Sequence, residues 1–158
     1  MNKILVFIVL SISLYGSQIL GKIDRFDLPY LNIKNIKAKI DTGAKTSSLH
    51  CMSIKPTKDG FVKFIVLDKS HKKYTGDYIK KKILRIGEVK SSNGSKEKRY
   101  FIKTPILIYN KKYMMELSLS FRGDMKYPLL IGRELIKQDF LVDVTKTNLS
   151  YRFKNNNN

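Results

Sequence analysis

Histidine and cysteine are scarce in this 158-residue chain, which has two His and one Cys. The zinc-binding pattern His-Glu-x-x-His is absent, and so is a glycine-rich phosphate loop ending in Lys-Ser or Lys-Thr. The sequence therefore predicts no metal site and no cofactor. A single cysteine excludes an intrachain disulfide, so the fold must be stabilised by its hydrophobic core. His50 and Cys51 are adjacent, and along a strand they would point to opposite faces, one to the surface and one to the core.

Acidic residues are also few, with 13 Asp and Glu against 31 Lys and Arg, which gives a net charge of +18. Such a surface attracts anionic partners, among them acidic peptides, lipid headgroups, nucleic acid and anionic polymers. A requirement for solubility alone would also explain the net positive charge. No nucleic-acid-binding motif accompanies the charge, so no specific nucleic-acid partner is expected. The basic runs at residues 80–82 and 96–99 lie beside apolar strand patterns and are typical of solvated strand faces.

Long hydrophobic runs are missing except near the N-terminus. There Lys3 precedes the apolar residues 4–10, and the run fades over residues 11–16, which makes it too short to span a bilayer. This pattern predicts a signal peptide over residues 1–20 and export to a bacterial periplasm; an uncleaved anchor and an ordinary first strand are the alternatives. Residues 21–154 would then form one domain without a stable membrane span, and residues 155–158 a disordered tail.

Short apolar runs rich in β-branched and aromatic residues dominate the rest of the chain. Asp59-Gly60 and Asn93-Gly94 are typical of hairpin turns, because both central positions can adopt positive φ. Residues 134–138 are the only segment with a convincing helical turn. The chain is therefore predicted to be all-β with one short helix near its C-terminus. The predicted strands include residues 61–67, 100–109, 113–119 and 140–143.

The most informative segment is Ala-Lys-Ile-Asp-Thr-Gly-Ala-Lys-Thr-Ser-Ser-Leu at residues 38–49, which places Asp41 in a turn directly after an apolar strand. Gly43 allows that turn to be sharp, and the Thr42 hydroxyl can form a hydrogen bond that holds the loop. Ala44 is the third residue expected to support the loop. A second apolar strand near the other end of the chain would pack behind this loop. Its candidate framing residues are Leu130, Ile131, Gly132 and Arg133.

Catalysis of the aspartic type requires two carboxylates that face each other across a water and share one proton. The chain has a single Asp-Thr-Gly, so a second carboxylate in the same setting requires a second copy of the chain. An isologous homodimer would bring both loops to its two-fold axis. We therefore predict a homodimer with Asp41 as the catalytic residue.

Together these segments resemble the bacterial retropepsin-like aspartic endopeptidases, a family often labelled ATP-dependent zinc protease. The resemblance implies a small β-barrel related to viral proteases, a flap over the cleft, and Asp41 as the catalytic residue. Cys51 stands where a small residue such as alanine is expected. The resemblance covers residues 21–151, and its matching segments are residues 36–49, 89–100, 104–106, 115–119 and 125–143.

The hairpin at residues 89–100 would close over an extended substrate and exclude water, although a plain surface hairpin is the alternative. Arg133 is expected to be a structural ion-pair partner at the dimer interface and not a catalytic group. The candidate flap residues are Ser91, Ser92, Asn93 and Gly94.

These observations predict an aspartic endopeptidase that hydrolyses peptide bonds with water activated between Asp41 of two protomers. The alternative is a non-catalytic barrel that binds peptide or an envelope polymer through the same groove and basic surface. The intact Asp-Thr-Gly favours the enzyme, since a binding protein needs no carboxylate on a two-fold axis. Acidic peptides fit the charge, and related proteins are associated with glutamate-ligating systems, a link that export would weaken.

Overall fold

A computed structural model describes residues 17–90, 94, 96–121, 123 and 126–157 of the chain. Within these ranges the backbone forms ten strands, two α-helices and one 3-10 turn. The strands are β1 (Gln18–Leu28), β2 (Ile33–Ile40), β3 (Ser47–Pro56), β4 (Phe61–Val66), β5 (Tyr78–Lys82), β6 (Arg85–Lys90), β7 (Lys96–Ile108), β8 (Lys111–Ser120), β9 (Leu129–Ile131) and β10 (Phe140–Thr147). The helices are α1 (Arg133–Ile136) and α2 (Leu149–Asn156), and the 3-10 turn covers Pro29–Leu31.

The sheet closes on itself. Eight strands follow one another in the order β10-β1-β2-β9-β3-β8-β7-β6, and β1 also pairs with β7 where Asp27 faces Leu107. The strands from β1 to β7 along this order therefore form a ring, while β4 pairs with β3 and β5 with β4 outside it. This architecture confirms the predicted all-β barrel. A homodimer stays a prediction, because the structure describes one chain.

Alternation along β2 leads the chain into the Asp41 loop. Ile36, Ala38 and Ile40 are buried, while Lys37 and Lys39 between them are half-buried and exposed. Full burial of a large aliphatic side chain stabilises a fold by about 1.5–3 kcal/mol. The buried face of β2 therefore anchors the backbone up to the residue that precedes Asp41.

The basic runs lie where the sequence places them. Residues 80–82 belong to β5, which pairs with β4 alone among the described strands, and their side chains alternate between exposed and half-buried. Residues 96–99 begin β7 and are exposed except for the half-buried Arg99. Both runs therefore lie on solvated strand faces, as predicted.

Two helices flank β10, and only the first is predicted from the sequence. The helical turn expected at residues 134–138 is confirmed by α1, whereas α2 is not anticipated. Its first turn is held by the buried Asp24 of β1, whose Oδ2 accepts the N–H of Ser150 at 2.9 Å and whose Oδ1 accepts that of Tyr151 at 3.1 Å. Burial raises the pKa of Asp24. Asn155 and Asn156, which are expected in a disordered tail at residues 155–158, end α2 instead.

The predicted leader overlaps the barrel at its last residues. Gln18, Ile19 and Leu20 pair in register with β10, and the Leu20 side chain is completely buried. Residues 1–16 lie outside the described part of the chain, so the signal peptide and periplasmic export stay predictions. In the portion that the structure describes, no helix is long and apolar enough to cross a membrane.

Candidate functional site

Asp41 begins the loop that connects β2 to β3, and its carboxylate is turned back onto that loop. Its Oδ1 accepts the backbone N–H of Gly43 at 3.1 Å and that of Ala44 at 3.3 Å. Its own N–H donates to the carbonyl of Ile131 at 2.8 Å. The side chain is half-buried, so it is fixed in orientation and still accessible from outside. A carboxylate held in this way can bind a polar substrate group or exchange a proton with it.

The short strand β9 lies between the two strands that carry the loop. It pairs in parallel with β2, where Ile40 faces Ile131, and antiparallel with β3, where Ser48 faces Leu130. Leu130 and Ile131 are buried. The second apolar element therefore lies behind the Asp41 loop, in the position that the sequence predicts for it.

Gly132 follows β9 at a point where no side chain fits. A Cβ atom there would lie 2.6 Å from the carbonyl carbon of Thr46 and 2.9 Å from the carbonyl oxygen of Lys45. The Gly132 N–H donates to Ser47 Oγ at 3.1 Å. Both neighbours that would clash are backbone, which cannot rotate away as a side chain can. The loop and the β9–α1 connection are thus in direct backbone contact.

Arg133 holds the outer side of the same loop. Its Nη1 donates to the carbonyls of Thr42 at 2.9 Å and Gly43 at 2.8 Å, and its backbone N–H donates to Ala44 O at 2.9 Å. These contacts are made within one chain, and the ion pair expected at a dimer interface stays a prediction. Gly43 and Thr42 are exposed at the tip of the loop. The structure therefore brings Asp41, Thr42, Gly43, Ala44 and Arg133 together.

An open groove of about 460 Å³ adjoins this loop. Arg85 lies in it and pairs with Glu116, while its guanidinium stacks on the Phe101 ring at 3.6 Å. The groove is lined by Lys45, Thr46, Arg85, Met115, Glu116, Glu134, Leu135 and Gln138.

The predicted flap corresponds to the hairpin of β6 and β7, which pair from Arg85 with Phe101 to Lys90 with Lys96. Ser91, Ser92 and Asn93 lie outside the described residues. Gly94 is described and has a φ of +87°, a backbone conformation that suits a tight turn. The hairpin is present, and its role as a flap stays a prediction.

His50 and Cys51 differ from the expectation of one surface and one core position, because both are completely buried. The Phe121 ring lies against His50 with ring centroids 5.6 Å apart, and His50 Nε2 is 2.8 Å from Asp68 Oδ2. His71 contacts the same carboxylate at 3.2 Å. Sequence reasoning misses this cluster, although the chain has two histidines in all and both belong to it.

Comparison with protein families confirms the resemblance. The family described as "Retropepsin-like aspartic endopeptidase RimB" matches residues 19–152, which is most of the chain. A crystal structure of a Legionella pneumophila protein of unknown function (DUF785) superposes with a TM-score of 0.67 at 28% sequence identity. That similarity covers 84% of this chain and 98% of the other.

Curated relatives carry a different name. Proteins called "Probable alpha-L-glutamate ligase" from Shewanella pealeana and Shewanella halifaxensis are each 33% identical over 132 residues, which is 82% of this chain. One of the same name from Desulfotalea psychrophila is 33% identical over 131 residues. The chain spans 29% of the length of both Shewanella proteins and 28% of the third.

These names correct the function expected from the sequence. The hypothesis of an endopeptidase that hydrolyses peptide bonds with water activated between Asp41 of two protomers is contradicted, because the curated proteins that share this region are named as glutamate ligases. The alternative of a non-catalytic barrel for peptides or envelope polymers has no support in those names either. The family description and the relatives' names are both those of enzymes, which supports an enzymatic role.

Proposed function

The chain belongs to the RimB-like family of retropepsin-like aspartic endopeptidases, and we propose that it acts on the glutamate-rich peptides of alpha-L-glutamate ligation systems. One observation carries this proposal: the chain is 33% identical over 132 residues to a protein that is named for that ligation. Each glutamate residue that is ligated contributes a side-chain carboxylate. The family suggests a peptide substrate, and the relatives suggest which peptide.

Electrostatics supports an acidic substrate. The chain carries a net charge of +18, whereas a glutamate-rich peptide carries about one negative charge per residue at neutral pH. Charges of opposite sign raise the rate of encounter, and added salt weakens this effect. A peptide in which glutamine replaces glutamate has nearly the same shape without the charge, and it is therefore the natural comparison.

The groove beside the Asp41 loop supplies cationic side chains at short range. Lys45 and Arg85 both line it. Its two carboxylates are already engaged, since Glu116 pairs with Arg85 and Glu134 lies 2.5 Å from Lys137 Nζ. The bond from Lys137 lowers the pKa of Glu134. We expect a glutamate side chain of the substrate to meet Lys45, and another to compete with Glu116 for Arg85, while the substrate backbone passes the Asp41 loop.

Asp41 is the proposed catalytic residue, which makes the activity of the aspartic type. The family description supports Asp41 as the catalytic residue. The N–H groups of Gly43 and Ala44 also support it, because they orient the Asp41 carboxylate. The expected reaction is shortening that is confined to glutamate-rich peptides, whereas the contradicted hypothesis is a general endopeptidase with water activated between two protomers. A homodimer stays a separate prediction, and the proposed substrate does not depend on it.

The test follows two dye-labelled peptides by mass spectrometry, one ending in a run of glutamates and the other in glutamines. The full-length chain is incubated with each, first alone and then with ATP and free glutamate. We expect the protein to shorten the glutamate peptide but not the glutamine peptide, without requiring ATP. The shortening should be slower at high salt. Equal treatment of both peptides, or no change in either, would contradict the proposed substrate. Extension that requires ATP would assign ligation to this chain and overturn the aspartic-type activity.

A further inference from the structure

The two histidines of the chain meet at one carboxylate. His50 Nε2 lies 2.8 Å from Asp68 Oδ2, and His71 Nδ1 lies 3.2 Å from Asp68 Oδ1. The imidazole rings of His50 and His71 are 5.6 Å apart between centroids and inclined by 35°. The sequence contains two histidines in total, so every histidine of the protein belongs to this cluster.

The backbone brings these groups together through the pairing of β3 and β4. Cys51 faces Val66 across that pair, and the N–H of Leu67 donates to the carbonyl of His50 at 3.1 Å. The chain then turns, with the N–H of His71 donating to the carbonyl of Asp68 at 3.0 Å. This turn places both ends of the segment 68–71 over the His50 side chain.

The surroundings orient the carboxylate and enclose one imidazole. Asp68 Oδ1 accepts the N–H of Ser70 at 2.8 Å and its hydroxyl at 2.5 Å, which fixes the carboxylate plane. His50 is completely buried, and the Phe121 ring covers it. His71 remains 23% exposed, so the cluster has one side open to solvent. The open side gives an ion a path to the three side chains, and the Ser70 bonds keep the Asp68 carboxylate oriented, as hydrogen bonds to a ligating carboxylate do in metal sites.

The donor set and its spacing fit a transition-metal ion. One ligand atom from each of His50, Asp68 and His71 lies within 4.8 Å of the other two. Zinc is bound at about 2.0–2.2 Å by imidazole nitrogen and carboxylate oxygen, so ligand atoms on one ion lie about 3–4 Å apart. His71 Nδ1 already lies in this range from Asp68 Oδ1, at 3.2 Å, whereas His50 Nε2 and Asp68 Oδ2, at 2.8 Å, must separate slightly when an ion replaces the hydrogen bond between them. Two imidazoles and a carboxylate suit zinc, copper, iron or nickel better than magnesium or calcium.

We propose that His50, Asp68 and His71 form a binding site for a divalent transition-metal ion, separate from the Asp41 loop. Motif spacing along the chain does not predict it, because the ligands come from β3 and from the turn after β4. Lys69, Lys72 and Lys73 lie in the same segment as two of the ligands and lower the affinity for any cation. The titration therefore extends to a large excess of metal over protein.

The test uses nitrogen-15-labelled full-length protein, in which two imidazole spin systems are expected. Zinc chloride is added while both imidazoles are followed by heteronuclear NMR, and cobalt(II) absorption in the visible range reports the coordination geometry. We expect both imidazoles to shift together with one dissociation constant. Unchanged imidazole resonances in excess zinc, or a shift of one histidine alone, would overturn the proposal. Neither readout depends on peptide turnover, so the metal site and the proposed function are tested independently of each other.

Variants separate a metal site from a hydrogen-bonded cluster. His71→Ala and Asp68→Asn should each weaken zinc binding by at least tenfold, whereas Asp77→Asn, at an exposed carboxylate outside the cluster, should leave it unchanged. His71 is partly exposed, so its replacement is expected to leave the fold intact, and this variant tests the site independently of Asp68→Asn. Zinc affinity in both ligand variants equal to that of the wild type would contradict the site.

Discussion

The Asp41 loop and the histidine cluster are held in opposite ways. Backbone groups hold the loop: Asp41 N–H bonds to Ile131, Arg133 N–H bonds to Ala44, and Gly132 touches the loop without a side chain. Side chains hold the cluster, with Asp68 accepting from both histidines. The first region therefore depends on space and backbone pairing, whereas the second depends on charge and protonation. Substitutions in the two regions should therefore differ in size and in pH dependence.

The largest effect is expected for Gly132→Ala. The new Cβ would meet the backbone of Thr46 and Lys45 at 2.6–2.9 Å, so the loop must move. We expect the free energy of unfolding to fall by about 2–3 kcal/mol in urea titrations. Gly87→Ala is the matched control, because the nearest atom there is the flexible end of Arg85, and it should cost far less. Equal losses for both glycines would show that Gly132 is not sterically required.

Ser47→Ala tests the hydrogen bond behind the loop. Ser47 is buried, and its Oγ accepts the N–H of Gly132 at 3.1 Å. Its removal leaves a buried N–H without that acceptor, which costs about 1–3 kcal/mol. Urea unfolding monitored by circular dichroism measures the change. Thr42→Ala is the control and should be nearly neutral, because Thr42 is exposed and the brace expected from its hydroxyl is not seen among the described residues. A neutral Ser47→Ala would contradict the bracing role.

Arg133→Ala removes both bonds from Nη1 to the carbonyls of Thr42 and Gly43. Because Arg133 is exposed, water replaces part of what is lost, and we expect a loss of about 1 kcal/mol. Amide hydrogen exchange in the loop should increase more than exchange in the barrel strands. Unchanged exchange at residues 43 and 44 would show that the guanidinium does not restrain the loop.

Asp68→Asn should have the smallest effect on stability at neutral pH, about 1 kcal/mol or less, but a distinct pH dependence. The hydrogen bond from Ser70, together with those from His71 and His50, holds the pKa of Asp68 well below its usual value of 3.8. A carboxyl whose folded pKa is lowered contributes stability above its unfolded pKa, and this is lost as pH falls below about 4. The acid unfolding curve of Asp68→Asn should therefore be flatter. Identical curves for both proteins would contradict the cluster's electrostatic character.

The sequence predicts the region held by backbone better than the region held by side chains. The strand before Asp41, the turn at Gly43 and the strand ending at Gly132 are all local patterns, and they lie where they are expected. The helix α2 escapes prediction because Asp24, far away in β1, supplies the acceptors for its first N–H groups. The histidine cluster is not predicted for the same reason, because the pairing of β3 with β4 determines which side chains distant in sequence come into contact.

Whether Asp41 acts on glutamate-rich peptides is tested most directly by comparing Asp41→Asn with the wild type on the same labelled glutamate peptide. Asparagine keeps an oxygen that can accept the N–H groups of Gly43 and Ala44, so the loop should survive while the carboxylate is lost. Asp59→Asn, in the β3–β4 turn, is the control. We predict that Asp41→Asn abolishes the change in peptide mass while Asp59→Asn retains it. Turnover at the wild-type rate in folded Asp41→Asn would contradict it.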